Sequence, residues 1–213
     1  MDGMRVAELT PTMADYRGRA AFDQLKKLEQ EASRIFLNQP LFVPGLLQVP
    51  GYAAEIISRV GGVPAGSQAL TDRVDERMRR AEMFEQRLRG ANPPQLLVVL
   101  DEAVLRRAAG GLDPAVAHEQ FDRLLAVARL DSVRLAILAY TDGLHPGLGG
   151  SFEVHETADG RASVFFEADH GDELVGTESA VAEHYRDLAM SMAEAAVTGA
   201  GAQALLESIS KSL

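Results

Sequence analysis

The stretch LDEAVLRR, residues 100–107, places two carboxylates directly after an apolar run. If that run is a buried strand, Asp101 and Glu102 lie at the carboxyl edge of a sheet, where open α/β sheets bind ligands. Glu102 and Arg106 are four residues apart and share one face of the helical turn that follows. Two interpretations stay open. Glu102 acts as a general base or ligand anchor, or the pair only balances its own charges at a helix start.

The glycine-rich stretch YTDGLHPGLGGSF, residues 140–152, has the composition of a mobile lid between two strands. It contains His145, a side chain that can transfer a proton near neutral pH, unless it is simply a solvated loop residue. At the two ends of the stretch, Tyr140 and Phe152 are candidate ligand contacts. The glycine spacing matches neither a phosphate-binding loop nor a dinucleotide fingerprint, so nucleotide binding is not predicted.

A third candidate is Glu167, which ends the apolar run VFF and is followed by further acids and a histidine, namely Asp169, His170, Asp172 and Glu173. Glu167 is expected to oppose Glu102 across the sheet edge. Two carboxylates in one pocket push each other's pKa values apart and provide an acid and a base. A histidine among carboxylates also suggests a metal. No second histidine has the spacing to complete such a site, so neither metal nor cofactor is predicted.

Composition excludes several classes of function. The 213-residue chain has no cysteine, which rules out disulfides, thiolate metal sites and a cysteine nucleophile. It has no secretory signal and no run of about 18 apolar residues of the kind a membrane span needs, which predicts a cytoplasmic protein without a membrane partner. From residue 141 onward, 13 Asp and Glu stand against 3 Arg and Lys. This acidic part repels phosphate backbones, so nucleic-acid binding is not predicted.

The elements that must position these residues begin with helices. Residues 1–16 lack periodicity and are expected to be loosely ordered. Apolar residues at three- and four-residue steps then predict a helix over 17–36, and Pro40 prevents its continuation. A charged helix in the stretch TDRVDERMRRAEMFEQRLRG is predicted to be capped by Thr71 or Asp72. We interpret its six arginines as a solvated face with weak ion pairs rather than an anion-binding face.

Residues 41–50, LFVPGLLQVP, form an apolar elbow between helices. Its prolines turn the chain sharply and keep it rigid without a ladder of backbone hydrogen bonds. We expect Leu46 and Leu47 to pack under the sheet and Gln48 to bond nearby backbone. Pro50 is suited to the first turn of a helix that Gly61 and Gly62 would end.

The second half is predicted to contain a sheet. QLLVVL and SVRLAILAY predict buried strands, and SFEVHET and ASVFFEA alternate as half-buried strands joined by the turn ADGR. Asp113 and Pro114 begin a helix between the first two strands, and the chain is helical again from about Glu178. The predicted fold is α/β (α+β), a single domain over 17–213. Its helical N-terminal half, 17–92, packs on a small mixed four-stranded sheet with flanking helices in 93–213.

Four stretches together resemble a known family: LFVPGLLQVPGYA, PPQLLVVLDEAVLRR, LHPGLGGSFEV and VFFEA. In this order they are similar to DUF5753, a domain of unknown function that usually forms the C-terminal part of actinobacterial regulators of the XRE helix-turn-helix class. The resemblance runs from about Phe22 to the C-terminus and implies an effector domain that binds a ligand or a protein. In those regulators a DNA-reading unit of several dozen residues comes first, whereas about twenty residues precede the resemblance here. We therefore expect a stand-alone domain that does not itself bind DNA, or a fragment of a longer protein.

Two functions from different classes remain open. The first is a module that binds a small molecule or a protein partner, the latter as a homo- or hetero-oligomer. The second is a cofactor-independent enzyme of a natural-product pathway that catalyses an intramolecular cyclisation or elimination, with Glu102, Glu167 and His145 moving protons. The predicted ligand contacts are Arg106, Gln48, Tyr140 and Phe152.

Overall fold

One mixed β-sheet organises the molecule. The computed structural model describes residues 16–17, 19–167, 171–176 and 180–213. Within these ranges eight strands are present: β1 Tyr16–Arg17, β2 Arg34–Gln39, β3 Gln95–Asp101, β4 Val133–Leu138, β5 Phe152–Glu156, β6 Ala162–Phe166, β7 Glu173–Val175 and β8 Val197–Thr198. They form a single sheet in the order β1-β7-β6-β5-β2-β3-β4-β8.

Helices cover both faces of this sheet. In the described part of the chain they are α1 Arg19–Glu31, α2 Pro50–Glu55, α3 Gln68–Leu88, α4 Glu102–Gly111, α5 Pro114–Ala128, α6 Ala180–Ala195 and α7 Gly199–Ser210. A π-helical turn, Ile56–Val60, continues α2. The larger core joins one face of the central strands to α4, α5, α7, the elbow and the end of α3. On the opposite face, α6 covers the smaller core. None of these helices combines the length and apolar character needed to span a bilayer.

Three parallel strands, β2, β3 and β4, form the centre of the sheet. Strand β5 joins the other side of β2 in the antiparallel sense. Central parallel strands are covered on both faces, which favours continuous apolar runs such as the five buried residues Leu96–Leu100 of β3. The carboxyl ends of the three strands lie along one border, which we call the carboxyl edge.

The four-stranded sheet expected from the sequence is therefore too small. Strands β3, β4, β5 and β6 are at the predicted places, but β2 and three short strands join them. The short ones, β1, β7 and β8, contain two or three residues each and are too brief to show a period of two. Strand β2 lies in the half that was expected to be helical, so the division into a helical half and a sheet half is wrong.

The helix predicted over 17–36 is two elements. Helix α1 ends at Glu31, and the chain then enters β2. Ile35, Phe36 and Leu37 are all buried, with Ile35 and Leu37 in the larger core and Phe36 in the smaller one. A short apolar run that follows an amphipathic helix is compatible with the helical period and also with a strand that is covered on both faces. The periodicity therefore could not show where the helix ends and the strand begins.

Helix α3 also departs from its prediction. It begins at Gln68 rather than after Thr71 or Asp72, because the Ser67 hydroxyl accepts a hydrogen bond from the Leu70 N–H (3.2 Å) and caps the first turn.

The arginines of α3 do not all form a solvated face. Arg80 forms an ion pair with the buried Glu29 of α1. Arg87 donates to the carbonyl of Glu29 (2.8 Å) and to that of Ala32. These guanidinium groups therefore fasten α1 to α3 by binding a buried carboxylate and the last carbonyls of a helix.

The elbow packs as predicted, although it joins strand β2 to α2 rather than two helices. Leu46 and Leu47 are buried in the larger core, and the Gln48 side chain donates to the Val43 carbonyl (2.7 Å). Pro50 begins α2 at its first turn. The Tyr52 hydroxyl accepts from the Val43 N–H (3.1 Å), which fixes the start of the elbow.

The remaining expectations concern residues outside the description. The loosely ordered N-terminus (all but its last residue), Asp169, His170 and the start of the last helical region at Glu178 lie outside the described residues.

Candidate functional site

The connection between β4 and β5, residues 139–151, crosses the carboxyl edge. In the sheet, β3 and β2 lie between β4 and β5. The chain must therefore pass over the ends of both strands before β5 begins. The connection contains two short 3-10 turns, Tyr140–Asp142 and Pro146–Gly149. We call residues 139–151 the edge loop. It forms a roof over the polar residues at the strand ends.

Asn38, near the end of β2, holds this roof from below. Its side-chain amide donates to the carbonyls of Gly147 (3.0 Å) and Gly150 (2.8 Å). A Cβ at Gly147 would stand 2.8 Å from Asn38 Oδ1, 2.9 Å from Met192 Sδ and 3.1 Å from His145 Nδ1. Only glycine fits this contact without displacing its neighbours, so position 147 is where the loop approaches the sheet most closely.

Asp101 and His145 form the central pair of the site. Asp101 Oδ1 accepts from the Ala103 N–H (2.6 Å) and caps α4, while Oδ2 is 3.0 Å from His145 Nε2. The exposed fractions of the two side chains are 13% for Asp101 and 9% for His145. A carboxylate only accepts hydrogen bonds, so Nε2 carries a proton, and in the neutral imidazole Nδ1 keeps a lone pair. This Nδ1 is shielded from solvent and has no hydrogen-bond partner among the described residues.

Glu102 fastens a second part of the edge loop. Its Oε1 accepts two bonds from Arg106 (2.7 and 3.0 Å), and its Oε2 accepts from the Tyr140 N–H (3.0 Å). Glu102 is also the first residue of α4, where the helix dipole favours an acid. Glu102 is buried, whereas Arg106 and the Tyr140 ring are exposed. We call Asn38, Asp101, Glu102, Arg106, Tyr140 and His145 the edge cluster.

A second polar cluster lies between α1, α3 and strands β5 and β6. We call it the inner cluster, and its members are Glu29, Arg77, Arg80, Glu153, His155 and Glu167. His155 is fully buried, and its Nε2 is 3.1 Å from Glu153 Oε2. Burial raises the pKa of Glu29. The nearby Glu153 carboxylate raises this pKa further, whereas the Arg80 guanidinium lowers it. The cluster is therefore a network of charged and polar side chains that joins α1 and α3 to β5 and β6.

Glu167 belongs to this inner cluster. Its side chain reaches the surface, yet the surrounding protein raises the pKa of its carboxyl and Glu153 raises it further, while Arg77 lowers it. Strands β6 and β3 are three spacings apart, roughly 14 Å at about 4.8 Å per spacing. The structure thus places Glu167 and Glu102 in different clusters, contrary to the shared pocket expected from the sequence.

The other predicted ligand contacts are divided between the two clusters and the core. Gln48 accepts from Arg77 Nη1 (2.9 Å) and so adjoins the inner cluster. Phe152 is buried, and its ring stacks edge-on against Tyr185 at 4.7 Å. The sequence-predicted site residues that meet at the carboxyl edge are Glu102, Arg106, His145 and Tyr140.

Sequence reasoning missed Asn38 and the contact between Asp101 and His145. A local signal for Asn38 exists. The polar residues Asn38 and Gln39 directly follow the apolar run IFL, just as Asp101 and Glu102 directly follow the apolar run LLVVL. Polar residues directly after a short apolar run predict a strand end at a carboxyl edge. The Asp101–His145 contact joins residues 44 apart in the chain and has no local signal.

Two surface depressions lie away from the edge cluster. One of about 260 Å³ is lined by residues of β4, α5 and β8, and one of about 290 Å³ by the amino ends of β2, β3 and β4. Both are shallow and open, and neither is lined by a member of the edge cluster. The edge loop instead covers the polar side chains at the strand ends, while Tyr140, Leu144 and Leu148 are exposed on the loop.

Metal ligands are not assembled in the described ranges. No group of three or more His, Asp or Glu side chains there is placed to hold a metal ion. The chain also contains no cysteine. The edge cluster therefore offers hydrogen bonding, charge and proton transfer through its own side chains.

Comparison with known proteins identifies one family. Residues 22–208 match the family model described as "Domain of unknown function (DUF5753)". No curated protein matches the chain. The matched segment contains every residue of both clusters.

Proposed function

Because the chain belongs to the DUF5753 family, whose description states no function, we propose from the edge cluster that it is a small-molecule-binding domain. The ligand binds at the carboxyl edge, beside the edge loop. Open α/β sheets bind ligands at this edge, outside the ends of their parallel strands. The acidic net charge of -10 argues against nucleic acid as the ligand.

The observation that carries this proposal is the His145 imidazole. One nitrogen is oriented by Asp101, and the other is shielded yet unpartnered among the described residues. A buried polar group without a partner costs free energy, on the order of 1–3 kcal/mol. Unpartnered buried polar groups often have a functional role, and a bound ligand would supply the missing hydrogen-bond partner.

The first test is a thermal-shift screen of the purified chain against a panel of small metabolites. We expect at least one compound to raise the melting temperature, and the rise to disappear in His145→Gln. His118→Gln is the matched control, because His118 is exposed and only contacts Ser210 Oγ at 3.2 Å. A compound that stabilises the His145→Gln variant as well as the parent binds elsewhere, and that result contradicts the proposal.

Partner binding is an alternative within the same class. It is favoured by the apolar side chains on the edge loop, where Leu144 is 95% exposed. A protein partner that covers the loop would bury this leucine. Sedimentation of the chain at increasing concentration, with and without Leu144→Ser, tests self-association through this surface.

An acid–base enzyme is the second candidate, and the carboxylate behind the imidazole favours it. In this form His145 Nδ1 takes a proton from the substrate, and Asp101 stabilises the imidazolium that results. Glu102 anchors the ligand, and Glu167 takes no part because it lies in the inner cluster. Liquid chromatography coupled to mass spectrometry would detect an eliminated product by its lower mass and a cyclised isomer by its changed retention, and His145→Gln should form neither.

A further inference from the structure

We infer that the ligand of the edge cluster is an amine on an apolar body, bound as the ammonium ion. This inference rests on the proposed function and deepens it. Three separate properties of the edge cluster lead to it: the hydrogen-bonding role of His145, the charge around Asp101 and the apolar side chains of the edge loop.

The first property is that the site needs a donor. His145 Nε2–H donates a hydrogen bond to the Asp101 carboxylate, so the shielded Nδ1 can only accept in the neutral ring. A ligand that hydrogen-bonds to Nδ1 must therefore present an N–H or O–H group. A carboxylate or phosphate ligand has no proton to offer and would face the lone pair of Nδ1.

The second property is unbalanced charge. Glu102 is paired with Arg106, and Arg107 is occupied by the carbonyls of Pro40 (2.8 Å) and Leu41 (3.0 Å). Asp101 has only a backbone N–H and the imidazole as partners in the described structure. Asp101 thus contributes a shielded negative charge without a cationic partner there. A positively charged donor bound at Nδ1 balances this charge from the other side of the imidazole ring.

The third property is an apolar rim. Tyr140, Leu144, Leu148 and Leu41 are exposed at the carboxyl edge or on the loop above it. Leucines and a tyrosine exposed together around a polar centre suit a ligand whose body is apolar. The face of Tyr140 can also attract an ammonium ion.

The test uses three probes of similar shape and different charge. They are 2-phenylethylamine, 2-phenylethanol and 3-phenylpropanoate, each titrated into the full chain by isothermal calorimetry at pH 7. We expect the amine to bind at least tenfold more tightly than the alcohol, and the carboxylate not to bind. A shift of the His145 Nδ1 resonance on addition of the amine, followed by nitrogen NMR, would place the amine at this ring.

The variant for this test is Asp101→Asn, because asparagine caps helices as well as aspartate does and keeps the start of α4 intact. It should lower the amine affinity at least tenfold. Asp113→Asn is the matched control, since Asp113 caps α5 through the same bond (2.9 Å to the Ala115 N–H) and is exposed. The control should bind the amine as the parent does.

The outcomes separate the two proposals. Equal binding of amine and alcohol, tighter binding of the carboxylate, or an Asp101→Asn variant that binds the amine normally would overturn the amine assignment. If no probe binds but a metabolite from the panel stabilises the parent and not His145→Gln, the amine assignment falls and the binding function stands. If neither the probes nor the panel gives a His145-dependent response, both fall.

Discussion

The edge cluster and the inner cluster contain the same pair of groups in opposite surroundings. Each has a histidine whose Nε2 meets a carboxylate and whose Nδ1 is shielded and unpartnered among the described residues, although His155 is buried and His145 is half-buried. His155 lies in the centre of a strand, with Arg77 and Arg80 of α3 close to its acidic neighbours. His145 lies in the edge loop, which polar side chains hold to the sheet from below. Position, rather than residue type, therefore separates a charge network that holds the fold from one that can receive a ligand.

The largest loss of stability is expected from a substitution that breaks the inner cluster. Arg80→Met removes the cationic partner of Glu29, whose side chain is 6% exposed. An unpaired buried carboxylate should lower the free energy of unfolding by about 3–5 kcal/mol, measured by urea denaturation at pH 7.

Its control is Arg89→Met, which breaks a solvent-exposed ion pair with Glu85 one helical turn away. That change should cost less than about 1 kcal/mol. If Arg80→Met costs no more than Arg89→Met, the inner cluster does not hold α1 to α3 and the contrast between the clusters is lost.

The next effect releases the edge loop. Asn38→Asp keeps the shape of the side chain but removes the amide that donates to Gly147 and Gly150. Two carbonyls lose their donor and face a carboxylate, so we expect a loss of about 2 kcal/mol. Hydrogen exchange should become faster in residues 139–151, while the amides of α1 and α3 keep their protection. Faster exchange in α1 and α3 as well would show that the two clusters are one cooperative unit.

A smaller effect comes from crowding the loop. Gly147→Ala places a methyl group within 3 Å of Asn38 and Met192, and should cost about 1 kcal/mol through overpacking. Gly149→Ala is the control, because a Cβ there meets open space. Thermal unfolding of both variants, together with the affinity of any ligand found for the parent, measures the effect. Equal melting temperatures would contradict the close contact at Gly147.

The smallest effect is a dependence of stability on pH that arises in the inner cluster. Burial raises the pKa of Glu29 above its usual value of 4.5, so the folded protein binds a proton more readily than the unfolded chain. The Glu29 contribution to stability must therefore rise as the pH falls through the raised pKa towards 4.5, by less than about 1.4 kcal/mol per pH unit for one group. Subtracting the Glu29→Gln unfolding curve from that of the parent isolates this slope. A difference that falls with acidification would reverse the assigned direction.

Much of the fold around the site could be predicted because its signals are local. The run LLVVL, the caps Asp113 and Pro114, and the elbow prolines each specify their own element. Strand β2 could not be separated from α1, because IFL fits either period and its partner β3 begins more than fifty residues later. The site itself depends on the order of the strands. His145 meets Asp101 only because the chain crosses from β4 to β5 over the end of β3, and no spacing within either segment encodes that crossing.

The position of β2 has a consequence for synthesis on the ribosome. This strand is made before either of its neighbours in the sheet, which are residues 95–101 on one side and 152–156 on the other. Neither side of the nascent strand can be paired natively until those residues have left the exit tunnel. Pairings between distant segments form late and leave apolar strands exposed meanwhile. The growing chain thus presents an unprotected apolar edge to chaperones until residues 95–101 and 152–156 have been translated.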